Sequence, residues 1–230
     1  MPIYQLIDEL VFPPLDHAEP GGLLAVGGDL SPRRLLLAYS MGIFPWFNAD
    51  DPILWWSPDP RCVLALSAFY LNRSLSKELR RGRYEVTFDK AFSEVIRACA
   101  RTPRKEGPGT WITGDMLKAY ELLHGLGYAH SVEAWYEGCL VGGLYGVALG
   151  GCFFGESMFH CMPNASKVAF ATLVRHLAML GYHLIDCQQS SRHLLSMGAT
   201  EVPRAEFLQL LQNAGVHPST LPPKGKFPSR

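Results

Sequence analysis

Between His130 and Cys187 the chain runs through three strand-like stretches in immediate succession, HSVEAWY, CLVGGLYGVALGG and CFFGESMF, then a helical stretch, ASKVAFATLVRHLAML, and a last apolar strand, HLIDC. This order constrains the fold more than any other feature. Strands joined by a Glu137-Gly138 turn or a pair of glycines must pair antiparallel, because so short a linker permits nothing but a hairpin. The helix, started at Asn164 and ended by Gly181, carries the chain back across the sheet, so HLIDC is expected to lie parallel to its neighbour. An α+β fold with a mixed sheet follows.

Before this block the texture differs. The first third is dense in Pro, Gly and Trp, with one short helix begun by Ser31-Pro32, a capping hydroxyl followed by proline at the first helical position, and stopped by Gly42. After Arg61, strands and helices alternate, which predicts a small N-terminal domain over 1–62 and a larger one over 63–230. NRSLSKELRRG and AFSEVIRACAR read as helices around a strand at YEVTF, and Thr113 caps a further helix. The end, STLPPKGKFPSR, reads as a polar, proline-broken tail expected to be mobile. No stretch of about 18 apolar residues could span a bilayer and the first residues carry no basic leader, so a cytoplasmic location is expected. Six cysteines without a C-x-x-C pair and eight histidines without H-E-x-x-H suggest neither a zinc site nor a disulfide framework. Net charge is zero, but residues 73–105 hold ten Lys and Arg against four acids. Within that segment Arg73, Lys77, Arg80 and Arg81 share one helix face, with Arg83 just beyond it, and a polyanion would relieve their mutual repulsion.

Two apolar strands carry residues that need explaining. HLIDCQ ends in Asp186, Cys187 and Gln188; regular alternation puts Asp186 and Gln188 on one side and Cys187 on the other. A carboxylate and an amide at the rim of a buried strand need partners, since burying either without hydrogen bonds costs kilocalories. Capping the next helix would be one use for them, although Ser190 and Ser191 are better placed. In the neighbouring strand Gly155, Glu156, Ser157 and Met158 set a carboxylate among Phe, Gly and Met, where it serves either a ligand or a structural arginine. Trp55 and Trp56 read as core. Trp111, after the loop EGPG, is a candidate face for stacking an unpaired base.

Taken together and in order, GLLAVGGDLSPRRLLLAYSMGIFPWF, DPILWWSPDPR, GTWI, HSVE, LVGGLYGV, FFGESMF, NASK, LIDCQ, SMGA and EVPR resemble the leucyl/phenylalanyl-tRNA–protein transferases over essentially the whole chain. The resemblance implies a small N-terminal domain and a catalytic domain like the GCN5-related N-acetyltransferases, without a cofactor or metal. Its activity would be to move Leu or Phe, or Met, from aminoacyl-tRNA to the α-amine of proteins beginning with Arg or Lys, feeding N-degron degradation. It further implies Trp46 and Trp111 near the terminal adenosine. Leu144, Gly155, Glu156, Ser157, Met158, Leu173 and Ile185 would surround the aminoacyl group, with Asp186 and Gln188 at the reacting amine. Cys187 would be packing, and Arg73, Lys77, Arg80, Arg81 and Arg83 would meet the tRNA.

Some positions depart from the family pattern. Leu144 stands where Met is common and Leu173 where Phe is common, while Ser191 and Arg192 replace a frequent Asn-Asp pair. Two rival readings are an acetyl-CoA-dependent acetyltransferase and a non-catalytic RNA-binding module. The first needs a Gly-rich pyrophosphate turn where this chain has MPNASK. The second leaves Asp186, Gln188 and Glu156 without a task.

Overall fold

The structure, a computed structural model, describes residues 3–102 and 111–227. The N-terminal part builds a four-stranded sheet from β1 (Tyr4–Leu6), β2 (Leu23–Gly27), β3 (Phe44–Pro45) and β4 (Leu54–Trp56), in the order β1-β2-β4-β3. Helix α1 (Pro32–Ser40) starts where the sequence predicts, with the Ser31 hydroxyl accepting from Arg34 N. Its Leu35 and Leu36 are fully buried.

The chain then enters a seven-stranded sheet at β5 (Arg61–Ala65). Two helices follow, α2 (Arg73–Arg81) and α3 (Phe92–Arg101), on either side of β6 (Glu85–Phe88). Asn72 caps α2 through Leu75 N, and Gly82 ends it in the left-handed conformation. Helix α4 (Gly114–Gly125) is capped by Thr113, whose hydroxyl accepts from Met116 N. The meander β7 (Ala129–Tyr136), β8 (Cys139–Leu149) and β9 (Cys152–His160) is antiparallel, its first turn at Glu137 and Gly138, both with positive φ. Helix α5 (Ala165–Met179) crosses back, and β10 (Leu184–Gln188) joins β9 in parallel. A short α6 (Arg192–Leu195), edge strand β11 (Thr200–Val202) and α7 (Arg204–Asn213) complete the order β11-β5-β10-β9-β8-β7-β6.

Both faces of the large sheet are covered. Strand alternation sends Phe153 and Ile185 toward α5 and α2, and Phe154 and Leu184 toward α1, α3, α4 and α7. Residues 219–227, expected to be mobile, are instead tied down by backbone and ring contacts. Gly150 N donates to Pro223 O, Gly225 N to Ala148 O and the Tyr182 hydroxyl to Lys226 O, while the Phe227 ring stacks at 4.0 Å on His130. Proline-broken composition hid this, because partners such as Ala148 O and Gly150 N lie at or just past the end of β8, beyond its pairing with β7 and far from the tail in sequence. Among the described residues no helix is long and apolar enough to cross a membrane.

Candidate active site

The site opens where the two parallel strands stop pairing. The β9–β10 ladder runs from Cys152↔Leu184 to Phe154↔Asp186 and ends there. Past that point both strands carry a bulge. On β9 the register passes from Gly146↔Gly155 to Tyr145↔Ser157, leaving Glu156 as the extra residue. On β10 it passes from Asp186↔Val63 to Gln188↔Cys62, leaving Cys187 extra and Gln188 in the left-handed region at φ 54°. A bulge bends its strand and re-aims the side chains around it, so the two strand ends part. Gly146 permits the first bulge, since a Cβ there would collide with the Phe154 carbonyl.

Two cavities fill the wedge. The first, about 350 Å³, is mostly apolar; Leu144, Gly155, Ser157, Met158, Leu173 and Ile185 line it, as do Phe153, Phe170 and Leu194. The second, about 230 Å³, is more polar and is walled by Phe44, Pro45, Trp46, Trp111 and Gln189. Glu156, Cys187 and Gln188 border both, so these three residues stand at the junction. The loop EGPG before Trp111 lies outside the described residues; Thr102, just ahead of that stretch, lines the first cavity.

Among the described residues Glu156 is not paired with an arginine. The Tyr39 hydroxyl donates to its Oε1 at 2.7 Å and the Tyr120 hydroxyl to its Oε2 at 2.9 Å, and the two hydroxyls also touch each other. Burial raises the Glu156 carboxyl to about 7, against the pull of the two hydroxyl donors, and the charge of Asp186 adds to the rise. Both tyrosines are themselves held well above the usual phenol range, first by burial and then by the Glu156 charge, so they remain donors.

Asp186 corrects the expectation drawn from regular alternation. It faces neither cavity and its side chain is fully buried, as is that of Arg61, its partner. Arg61 Nε donates to Oδ1 at 2.8 Å and Nη2 to Oδ2 at 2.7 Å, a two-pronged pair. Asp186 reaches the site through the backbone: its Oδ1 accepts from Gln188 N at 3.0 Å. Cys187 packs against the core, as expected, with its thiol donating to Ile185 O at 3.9 Å, and at the bulge it also borders both cavities alongside Gln188.

Of the remaining candidates, Arg73, Lys77, Arg80, Arg81 and Arg83 are all exposed and line none of these cavities. Arg81 and Arg83 share Glu78, a nearly buried acid on the same helix, which leaves Arg73, Lys77 and Arg80 as the open part of the stripe. Ser191 caps α6 by accepting from Leu194 N, and Ser190 donates to Glu201 at 2.6 Å. Among the described residues no group of His, Cys, Asp or Glu is arranged to hold a metal ion.

Comparison with known proteins gives a consistent answer. A family model described as leucyl/phenylalanyl-tRNA protein transferase matches residues 63–212, and the model of that enzyme's N-terminal domain matches 28–59. A leucyl/phenylalanyl-tRNA–protein transferase of Nitratidesulfovibrio vulgaris is 56% identical over 222 residues, covering 96% of this chain and 95% of its own. One from Nitrosospira multiformis is 59% identical, covering 90% of each chain. Among solved structures, the L-PGS of Bacillus licheniformis superposes with a TM-score of 0.41 at 13% identity, over 67% of this chain and 50% of that one, too distant a likeness to bear on the site.

Proposed function

Because this chain belongs to the leucyl/phenylalanyl-tRNA–protein transferase family, with aminoacyl-tRNA as donor and protein as acceptor, we propose that it moves Leu or Phe, with Met admitted, onto proteins whose first residue is Arg or Lys. The product enters N-degron degradation in the cytoplasm. The 1–62 part supplies one wall of the donor site, and the 63–230 part, of the GCN5-related N-acetyltransferase kind, supplies the reacting centre.

One observation carries this reading: an apolar and a polar cavity meet at a junction that holds the polar groups Glu156 and Gln188. A charged tRNA end has the same two-part shape. The Leu or Phe side chain enters the first cavity, whose volume falls within the roughly 300–1,000 Å³ of small-molecule sites. The terminal adenosine lies against Trp46 and Trp111. The ester carbonyl is then left at the junction. An aminoacyl ester is already activated, and an α-amine with a pKa of about 7.7–8.0 is partly neutral at neutral pH. Positioning therefore supplies most of the rate. Gln188 accepts a hydrogen bond from the attacking amine, Glu156 faces the donor's own α-ammonium, and no covalent enzyme intermediate is needed. Leu144 and Leu173 keep the first cavity apolar and set its shape.

Incubation with labelled Leu-tRNA or Phe-tRNA and an Arg-initiated peptide is expected to move the label to the peptide N-terminus. Acetylation of that peptide from acetyl-CoA, or tight tRNA binding with no label transferred, would each overturn the proposal.

The basic face of α2 is assigned to the tRNA. Replacing Arg73, Lys77 and Arg80 together by alanine should weaken Leu-tRNA and Phe-tRNA binding alike. The slope of log affinity against log salt should fall by about 2–3, at roughly 0.7–0.9 per phosphate contact. An unchanged slope places the tRNA elsewhere.

A further inference from the structure

From the geometry of one buried cation we infer that Arg61 is a positioning residue for the transfer, holding Gln188 and the wall of the polar cavity in a single register; the inference rests on the function proposed above. Arg61 lies at the point where the chain leaves the small sheet for the large one, and its side chain is fully buried. The donors of its fork reach to both sides of that boundary. Two of them grip both oxygens of Asp186, and Nη1 donates to Gly42 O at 3.1 Å. Its guanidinium lies 4.9 Å from the centre of the Phe44 ring and 4.6 Å from that of Phe207.

Both ends of this bridge lead to the site. At one end, Asp186 Oδ1 holds Gln188 N–H, which keeps a non-glycine residue in the left-handed conformation that its bulge demands. At the other, Phe44 begins the Phe44-Pro45-Trp46 wall of the polar cavity. A carboxylate with two lone-pair positions taken by Arg61 and one by a backbone N–H has a fixed orientation. Released from Arg61, it is free to turn, and the Gln188 amide loses its aim. Lysine in this place keeps the charge but offers a single point donor. It cannot grip both oxygens and reach Gly42 at once.

Arg61→Lys is therefore expected to lower kcat by about 100-fold, as a displacement near 1 Å does, while KM for aminoacyl-tRNA rises no more than about 5-fold. The discriminating measurement is the same substitution in a Gln188→Ala background. If Arg61 acts through Gln188, the further loss of kcat there is under about 3-fold. A general folding defect lowers the active fraction equally in both backgrounds, so equal losses overturn the inference, as does a kcat for Arg61→Lys within about 3-fold of the unaltered protein.

Should Arg61→Lys fail to fold, Arg61→Gln combined with Asp186→Asn keeps a neutral hydrogen-bonded bridge. The pair is expected to transfer at least about 10-fold faster than Arg61→Gln alone, and equal rates overturn the inference. Failure of the unaltered protein to transfer at all would instead count against the proposed function, which keeps the two outcomes apart.

Discussion

Asp186→Ala is expected to unfold with about 3–5 kcal/mol less stability and to lose transfer by more than about 100-fold. The stability loss follows from what alanine leaves behind. Arg61 stays fully buried with two of its donors aimed at empty space, and a buried charge stripped of its partner costs far more than the intact pair contributes. The activity loss has a different origin: Gln188 N–H loses its acceptor, and the left-handed turn that aims Gln188 into the cavities has nothing to hold it. Asp186→Asn separates the two. Asparagine still offers one oxygen to Gln188 N–H or Arg61, so a role in orientation leaves a measurable fraction of kcat. A role in balancing positive charge on the attacking nitrogen would cost as much as alanine does. Urea unfolding, single-turnover transfer and aminoacyl-tRNA affinity, measured on the same preparations, decide it. Full turnover with Asp186→Ala would remove the residue from the mechanism.

That Asp186 lies behind the site could not be read in the sequence, and the reason is general. Hairpin order, the α5 crossover and the caps at Ser31 and Thr113 were legible because their signals are local: turn residues, periodicity and a hydroxyl three positions before the amide it serves. The wedge between β9 and β10 depends on two bulges, and a regular pleat is what any alternation argument assumes. One inserted residue at Cys187 overturned the predicted facing of the DCQ triplet, leaving Asp186 behind the cavities that Cys187 and Gln188 border. The partners of the two acids are equally out of reach. Tyr39 lies 117 positions from Glu156, and Arg61 lies 125 from Asp186. Arginine in SPDPR and tyrosine in LLLAYS carry no mark that ties them to a strand near the other end of the chain. The apolar lining by Leu144, Leu173 and Ile185 was implied by the family resemblance and not by any local pattern in their strands and helix.

Glu156→Gln should act in opposite directions on stability and on activity, and pH separates them. The folded carboxyl titrates at about 7, raised from 4.5 mainly by burial. A raised acid favours the fold fully below its unfolded value, and that favour is lost as pH climbs through the folded value. Above pH 7 the ionised group therefore costs on the order of 3 kcal/mol relative to its protonated form. Glutamine carries no charge to bury, so the variant should be the more stable protein at pH 8, with the advantage shrinking toward pH 4.5. Part of the gain is forfeited because Tyr120 donates to an oxygen that becomes an amide nitrogen and must turn its hydroxyl. Activity runs the other way. On the proposed function an ionised Glu156 meets the donor's ammonium, so kcat/KM of the unaltered protein should rise with pH through about 7 before the acceptor amine's own titration takes over. Glutamine should abolish the lower limb and raise KM for aminoacyl-tRNA by about 10-fold or more, in line with a lost charge-assisted contact. Melting curves and pH–rate profiles collected from pH 5 to 9 test both halves. A variant that keeps the limb near 7 would assign that titration to some other group and leave Glu156 a purely structural acid.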